Sequence, residues 1–255
     1  MLRRVGSLKD YAIQATDGEL GKIREMYFDE EQWAVRYLVV DTGKWLTRHE
    51  VLISPYSVDG IDDEHGKVLV SLTREQVENS PDIDTHQPLS RQLEGEFSAY
   101  YGYGHYWTGP YLWGADGAPV MPLPNTLTEV ASAAVAEEFG HAADTHLRSS
   151  AEVHGYHIAG TDDAIGHVAD FIFDDETWAL RYLLVDTHNW WPGGKKVLLA
   201  PEWIEHIDWA DALVKTRLTR EEIRNSPEYV EELPIARDYE KRLHEHYRRQ
   251  GYWDV

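Results

Sequence analysis

The 255-residue chain contains no cysteine. Its absence excludes disulfides, thiolate nucleophiles and thiolate-bound zinc or iron–sulfur centres. Cations are scarce as well: 24 Lys and Arg stand against 45 Asp and Glu, a formal charge of −21. So acidic a surface repels phosphodiester backbones and anionic headgroups, and nucleic acid is not an expected partner. Long apolar runs are missing too, where a membrane-crossing helix needs roughly 18 or more such residues. Arg3 and Arg4 near the start are followed by no apolar stretch, so a secretory signal is not expected and the cytoplasm is the expected location. Phenylalanine is sparse, with five residues, but ten Trp and fifteen Tyr supply material for a packed core.

What the chain does have is an internal repeat. Residues 21–42 read GKIREMYFDEEQWAVRYLVVDT, and residues 166–187 read GHVADFIFDDETWALRYLLVDT. Twelve of these 22 positions are identical at an offset of 145, far above chance, which marks a duplication. Upstream, Tyr11, Ile13, Thr16 and Asp17 match Tyr156, Ile158, Thr161 and Asp162. Beyond Trp190 one inserted residue moves the offset to 146. Leu72-Thr73-Arg74-Glu75 then meets Leu218-Thr219-Arg220-Glu221, and Tyr106-Trp107 meets Tyr252-Trp253. The domains expected are a first unit at 5–107, a linker with a helix at 108–149, and a second unit at 150–255.

Each copy reads as short strands followed by helices. Tyr11, Ile13 and Ala15 alternate as in a half-buried strand. A hairpin at Thr16-Asp17-Gly18 leads into a strand from Gly21 to Phe28, with Gly18 placed to supply a positive φ. Trp33 to Val40 is dense enough to be buried on both faces. Val51–Ile53 and Lys67–Leu72 are further strands. Thr73 with Gln76, and Thr219 with Glu222, have capping-box spacing and start short helices. Longer helices are expected from about Pro88 and Pro234, and another from Thr126 to Gly140. The fold class is therefore mainly β with added helices.

Asp17 to Asp41 resembles the PRC-barrel signature: Gly21 before the second strand, Phe28-Asp29 ending it, and Val35-Arg36-Tyr37-Leu38-Val39-Val40-Asp41 as the third strand. The second copy keeps Gly166, Phe173-Asp174 and Leu180 to Asp186, but has Asp163 where the first has Gly18, so its hairpin is expected to turn differently. The resemblance implies two tandem small β-barrels packed as a pseudo-symmetric pair. It is a family whose members act by binding, among them the cytoplasmic part of the photosynthetic reaction-centre H subunit and a domain of a ribosome maturation factor. The expected function is that of a non-catalytic adaptor or assembly protein with an unknown protein partner, or a homo-oligomer. The alternatives are an H-subunit-like role in photosynthetic electron transport, and a small-molecule binder or enzyme with a site between the barrels.

Candidate sites are few. The Gly-interrupted run Tyr100, Tyr101, Tyr103, Tyr106, Trp107, Tyr111 and Trp113 is the expected interaction surface, with packing of the linker as the competing reading. His141 and His146, His154 and His157, and His244 and His246 have no recognised metal spacing, so no metal is expected. Asp29, Asp41, Asp174 and Asp186 recur at strand ends, where turn hydrogen bonding explains them. Arg36 and Arg181 are expected to pair with carboxylates. No nucleotide-binding or nucleophile-elbow motif is present, and neither a catalytic residue nor a cofactor is expected.

Overall fold

The computed structural model describes residues 1–46, 50–82, 89–121, 146–188, 190 and 193–254. The expected helix at 126–140 and the helix start at Pro88 lie outside these residues. The chain forms two compact units. The amino-terminal unit is Leu8–Ser149 with Glu176–Ala179; the carboxy-terminal unit is Met1–Ser7, Ser150–Asp175 and Leu180–Val255.

In the amino-terminal unit, β2 (Ala12–Ala15), β3 (Gly18–Asp29), β4 (Ala34–Asp41), β5 (Glu50–Ile53), β6 (Val58–Asp62) and β7 (Lys67–Val70) form one sheet in the order β5-β4-β3-β2-β7-β6. β2 and β7 run parallel. The seventh strand, β8 (Leu147–Ser149), adds to β3. In the carboxy-terminal unit, β9 (His157–Ala159), β10 (Ala164–Asp174), β11 (Leu180–Asp186), β12 (Lys196–Leu199), β13 (Ile204–Asp208) and β14 (Leu213–Thr216) repeat that order, and β1 (Leu2–Arg4) adds to β10. Among the described residues the fold is mainly β, two sheets of seven strands. Among the described residues no ladder joins the outermost strands of either sheet.

The seventh strand of each sheet comes from outside its own copy, and its origin is informative. β1 precedes the first copy in sequence yet pairs with the second copy's β10, Arg3 lying opposite Phe173. β8 precedes the second copy yet pairs with the first copy's β3, Arg148 lying opposite Phe28. Each leading strand is thus exchanged. Matching ion pairs fasten both: Arg3 Nε to Asp175 at 2.6 Å, and Arg148 to Glu30 at 2.9 Å.

The sequence pattern accounts for the core. In β4 every residue from Ala34 to Val40 is buried. The first hairpin closes on Thr16 and Asp17, and Gly18 has the expected positive φ, 156°, while already paired to Ala15 at the start of the strand. The second copy takes four residues instead, Gly160 to Asp163, between Ala159 and Ala164. Gly21 and Gly166 follow a bulge in each copy, and the extra residues, Leu20 and Ile165, are fully buried. β6 pairs with β7 and β13 with β14, both antiparallel.

Both capping boxes are present, on α1 (Arg74–Glu78) and α4 (Arg220–Arg224). α2 (Arg91–Tyr101) begins behind its N-cap Ser90, and α5 (Arg237–Tyr247) is its counterpart. α3 (Ser150–Val153) is a single turn. Among the described residues no helix is long and apolar enough to cross a membrane.

Candidate functional site: a recurrent buried carboxylate cluster

The chemistry-bearing side chains of each unit converge under its long helix. In the amino-terminal unit, β4 places Arg36 and Tyr37 on opposite faces, and α2 places Arg91 and Glu94 on one face by their spacing of three. Glu94 is fully buried. One of its oxygens accepts from the Tyr37 hydroxyl at 3.0 Å and the Tyr106 hydroxyl at 2.6 Å. The other lies 2.9 Å from His146 Nε2 and 3.5 Å from Arg91. Arg91 also donates to the Tyr106 hydroxyl at 2.7 Å.

Arg36 is fully buried beside this cluster. It donates to the Leu112 carbonyl at 2.7 Å and to Gln32, and lies 3.6 Å from Asp29. Its guanidinium carbon sits 3.8 Å from the Tyr106 ring centroid and 4.8 Å from that of Trp113. Arg36 Nε is buried without a hydrogen-bond partner, so this desolvated cation rests on the aromatic faces, on Asp29 and on its two acceptors, and loses much if one is removed. Burial lowers the Arg36 pKa from its ordinary value. Asp29 also accepts from the amides of Glu31 and Gln32, and Asp41 and Asp186 accept from those of Gly43 and His188, which is the expected turn chemistry.

The carboxy-terminal unit repeats the arrangement. Glu240 on α5 accepts from the Tyr182 and Tyr252 hydroxyls, each at 2.9 Å, and pairs with Arg237 at 2.9 Å. Arg181 lies 3.7 Å from Asp174 and 4.0 Å from the Tyr252 ring centroid. Both repeated arginines therefore face the carboxylates expected of them. The Arg181 side chain is 22% exposed, whereas that of Arg36 is sealed, because the Trp113 ring and the Leu112 carbonyl also cover Arg36.

The histidines are not equivalent. His244 comes from α5, bonds the Tyr182 hydroxyl at 3.0 Å and has Nδ1 on the Gln250 carbonyl at 2.9 Å. Its sequence counterpart in the first copy is Ser98. There the histidine is His146, from the residue before β8. Two different sequence positions thus bring an imidazole to one carboxylate–tyrosine cluster.

The aromatic run divides. Tyr103, Tyr106 and Trp113 are buried, Tyr101 and Trp107 are half-buried, and Tyr100 and Tyr111 are exposed. Tyr103 stacks on Tyr56 with centroids 5.2 Å apart; Trp113 donates to the Thr177 carbonyl at 2.7 Å. Sequence reading missed Arg91, Glu94, Arg237 and Glu240. The signal was available: Arg-x-x-Glu recurs at the same offset of 146 that aligns the terminal Tyr-Trp pairs. Among the described residues no group of three His, Asp or Glu side chains is arranged to hold a metal ion.

The cluster sets a pH dependence. Burial, reinforced by the neighbouring carboxylates, pushes the hydroxyls of Tyr37, Tyr106 and Tyr182 far above the ordinary tyrosine range, and burial pushes Tyr252 up to about 12. Since folding favours the protonated phenols, this contribution is complete below pH 10, the ordinary tyrosine value, and declines as pH rises above it. Absorbance at 295 nm is expected to show a group of tyrosines ionising only together with loss of near-ultraviolet circular dichroism. Ionisation of all fifteen tyrosines with that signal intact would contradict the arrangement.

Comparison with known proteins covers only the first part of the chain. The family model for the PRC-barrel domain matches residues 3–77, from β1 to α1. An uncharacterized protein of Deinococcus radiodurans is 31% identical over 75 residues, 29% of this chain. The matched part spans 27% of that relative's length. Residues 3–77, which hold the Gly21–Thr42 signature and one half of the duplication, are thus similar to the PRC-barrel domain.

Proposed function

We propose that the protein is a non-catalytic binding or assembly protein whose two β units present surfaces to another protein in the cytoplasm. The observation that carries this reading is the sealing of the recurrent chemistry: Glu94 is 0% and Glu240 2% exposed. A carboxylate engaged by two tyrosine hydroxyls and an arginine holds a helix against its sheet. It offers no free base to a substrate. What the chain leaves at its surface is acidic charge together with single large side chains such as Tyr100 and Tyr111, 42% and 58% exposed. Aromatic residues of this kind are enriched where proteins meet, and a charge of −21 favours a basic partner.

The test is photo-crosslinking in the native host. A benzophenone amino acid at position 111, and separately at position 233, is expected to trap one discrete protein in good yield. Residues 111 and 233 are exposed, so the fold tolerates the change. Repeated recovery of the uncrosslinked chain alone from both positions would sink the reading.

A further inference from the structure

The carboxy-terminal unit carries a preformed cleft of about 300 Å³ between the segment before α5 and the first turns of that helix. Val230, Leu233, Pro234 and Ile235 line it, with Tyr229 and Tyr239. The segment is fixed: the Tyr229 amide donates to the Lys196 carbonyl at 2.8 Å, the Leu233 amide to the Val230 carbonyl at 3.2 Å, and the Tyr239 hydroxyl to the Pro227 carbonyl at 3.3 Å. Even so, Val230 stays 41% and Leu233 62% exposed.

The duplication shows that these apolar side chains are not demanded by the module. At the offset of 146, Val230 corresponds to Asp84 and Leu233 to Gln87, while Pro234 meets Pro88 and Ile235 meets Leu89. Pro234 and Ile235 keep the character of their counterparts. Val230 and Leu233, both exposed, change from polar to apolar in this copy alone. An exposed apolar pair kept on a rigid lip costs solubility and does nothing for packing, which is the mark of a contact surface.

Charge selects the occupant. Glu228 and Asp238 line the cleft against one cation, Arg242. Glu231 and Glu232 follow in the same segment, Glu231 being held by Lys196 and by Arg4 at 3.2 Å. We propose that this cleft binds a protein segment in which one or two large apolar side chains are flanked by Lys or Arg: the apolar groups enter beside Val230 and Leu233, and the cations face Glu228 and Asp238. The proposal rests on the binding reading above and gives it a site and a class of partner.

The test uses the full-length chain and a labelled peptide, GKKLFKKG, with GEEELFEEG and GKKSSKKG as controls. Fluorescence anisotropy is expected to show saturable binding of the first peptide only. Amide resonances of Val230, Leu233 and Tyr239 should shift with it. Val230→Ser with Leu233→Ser, and separately Asp238→Lys, should each weaken binding tenfold or more, while Val120→Ser, an exposed valine outside the cleft, leaves it unchanged. Equal binding of the acidic peptide would overturn the choice of occupant. Shifts that map to Tyr100 and Tyr111 would overturn the site. Shifts of the cleft with protein concentration alone would replace the peptide by a second copy of the chain. Absence of binding at millimolar peptide would reject the cleft, yet a partner crosslinked through position 111 would leave the binding reading standing.

Discussion

Replacing Glu94 with Ala is expected to destabilise the amino-terminal unit by about 3–5 kcal/mol, the range for breaking a buried, hydrogen-bonded charge network. Removing this one side chain takes the acceptor from the Tyr37 and Tyr106 hydroxyls and a carboxylate from His146 and Arg91. Asp29, 3.6 Å from Arg36 and 3.9 Å from Arg91, would be left to face both cations. Glu94→Gln retains an acceptor for the phenols and is expected to cost about half as much. Glu240→Ala should cost less than Glu94→Ala, about 2–3 kcal/mol, because Arg237 is 45% exposed and water can take up its charge. Urea unfolding followed by near-ultraviolet circular dichroism gives the ranking. A loss below about 1 kcal/mol for Glu94→Ala would mean that the cluster does not hold α2 in place.

The repeat made much of the fold legible. β3, β4 and β7, both capping boxes and the long helices follow from periodicity and from residues that recur in register. The strand exchange did not, because Leu2–Arg4 and Leu147–Ser149 carry too few residues to show a period, and their partners are set by tertiary pairing. Trp33 is another case. It reads as the start of a strand, yet it occupies the left-handed region at φ 53°, as does Trp178 at φ 59°. A bulky residue rarely adopts that conformation. It is held by the backbone bond from Trp33 to Asp29 and the ring contact with Phe28, neither of which local propensity contains.

The site was legible in part for a related reason. The aromatic run stood out by composition, but composition does not distinguish Tyr106, which packs over Arg36, from Tyr111, which faces water. Burial separates them. Recurrence would also have separated Tyr106 from the exposed Tyr100, since Tyr106 has its partner in Tyr252 whereas Tyr100 corresponds to His246. The same comparison, applied to residues 228–236, separates Pro234, shared with Pro88, from Leu233, which is apolar in this copy alone.

The signature glycines give the sharpest steric prediction. A methyl group at Gly21 would collide with the Asp41 carbonyl oxygen, and one at Gly166 with that of Asp186. Both obstacles are backbone atoms of a neighbouring strand, fixed in the Lys22–Asp41 and His167–Asp186 pairs. They cannot yield as a flexible side chain would. The strands must separate, or the bulge that buries Leu20 or Ile165 must be undone. Gly21→Ala and Gly166→Ala are therefore each expected to cost about 3 kcal/mol, the upper range for overpacking, and the Val variants more. Gly95→Ala is the control. Nothing lies within 4 Å of a methyl group there, and its helical position should make the change stabilising by about 0.5–1 kcal/mol. Thermal unfolding of the three Ala variants should then move in opposite directions, downward for 21 and 166 and upward for 95. Tolerance of Ala at both 21 and 166 would show that the third strand does not approach these glycines so closely in solution. The signature would then need another explanation.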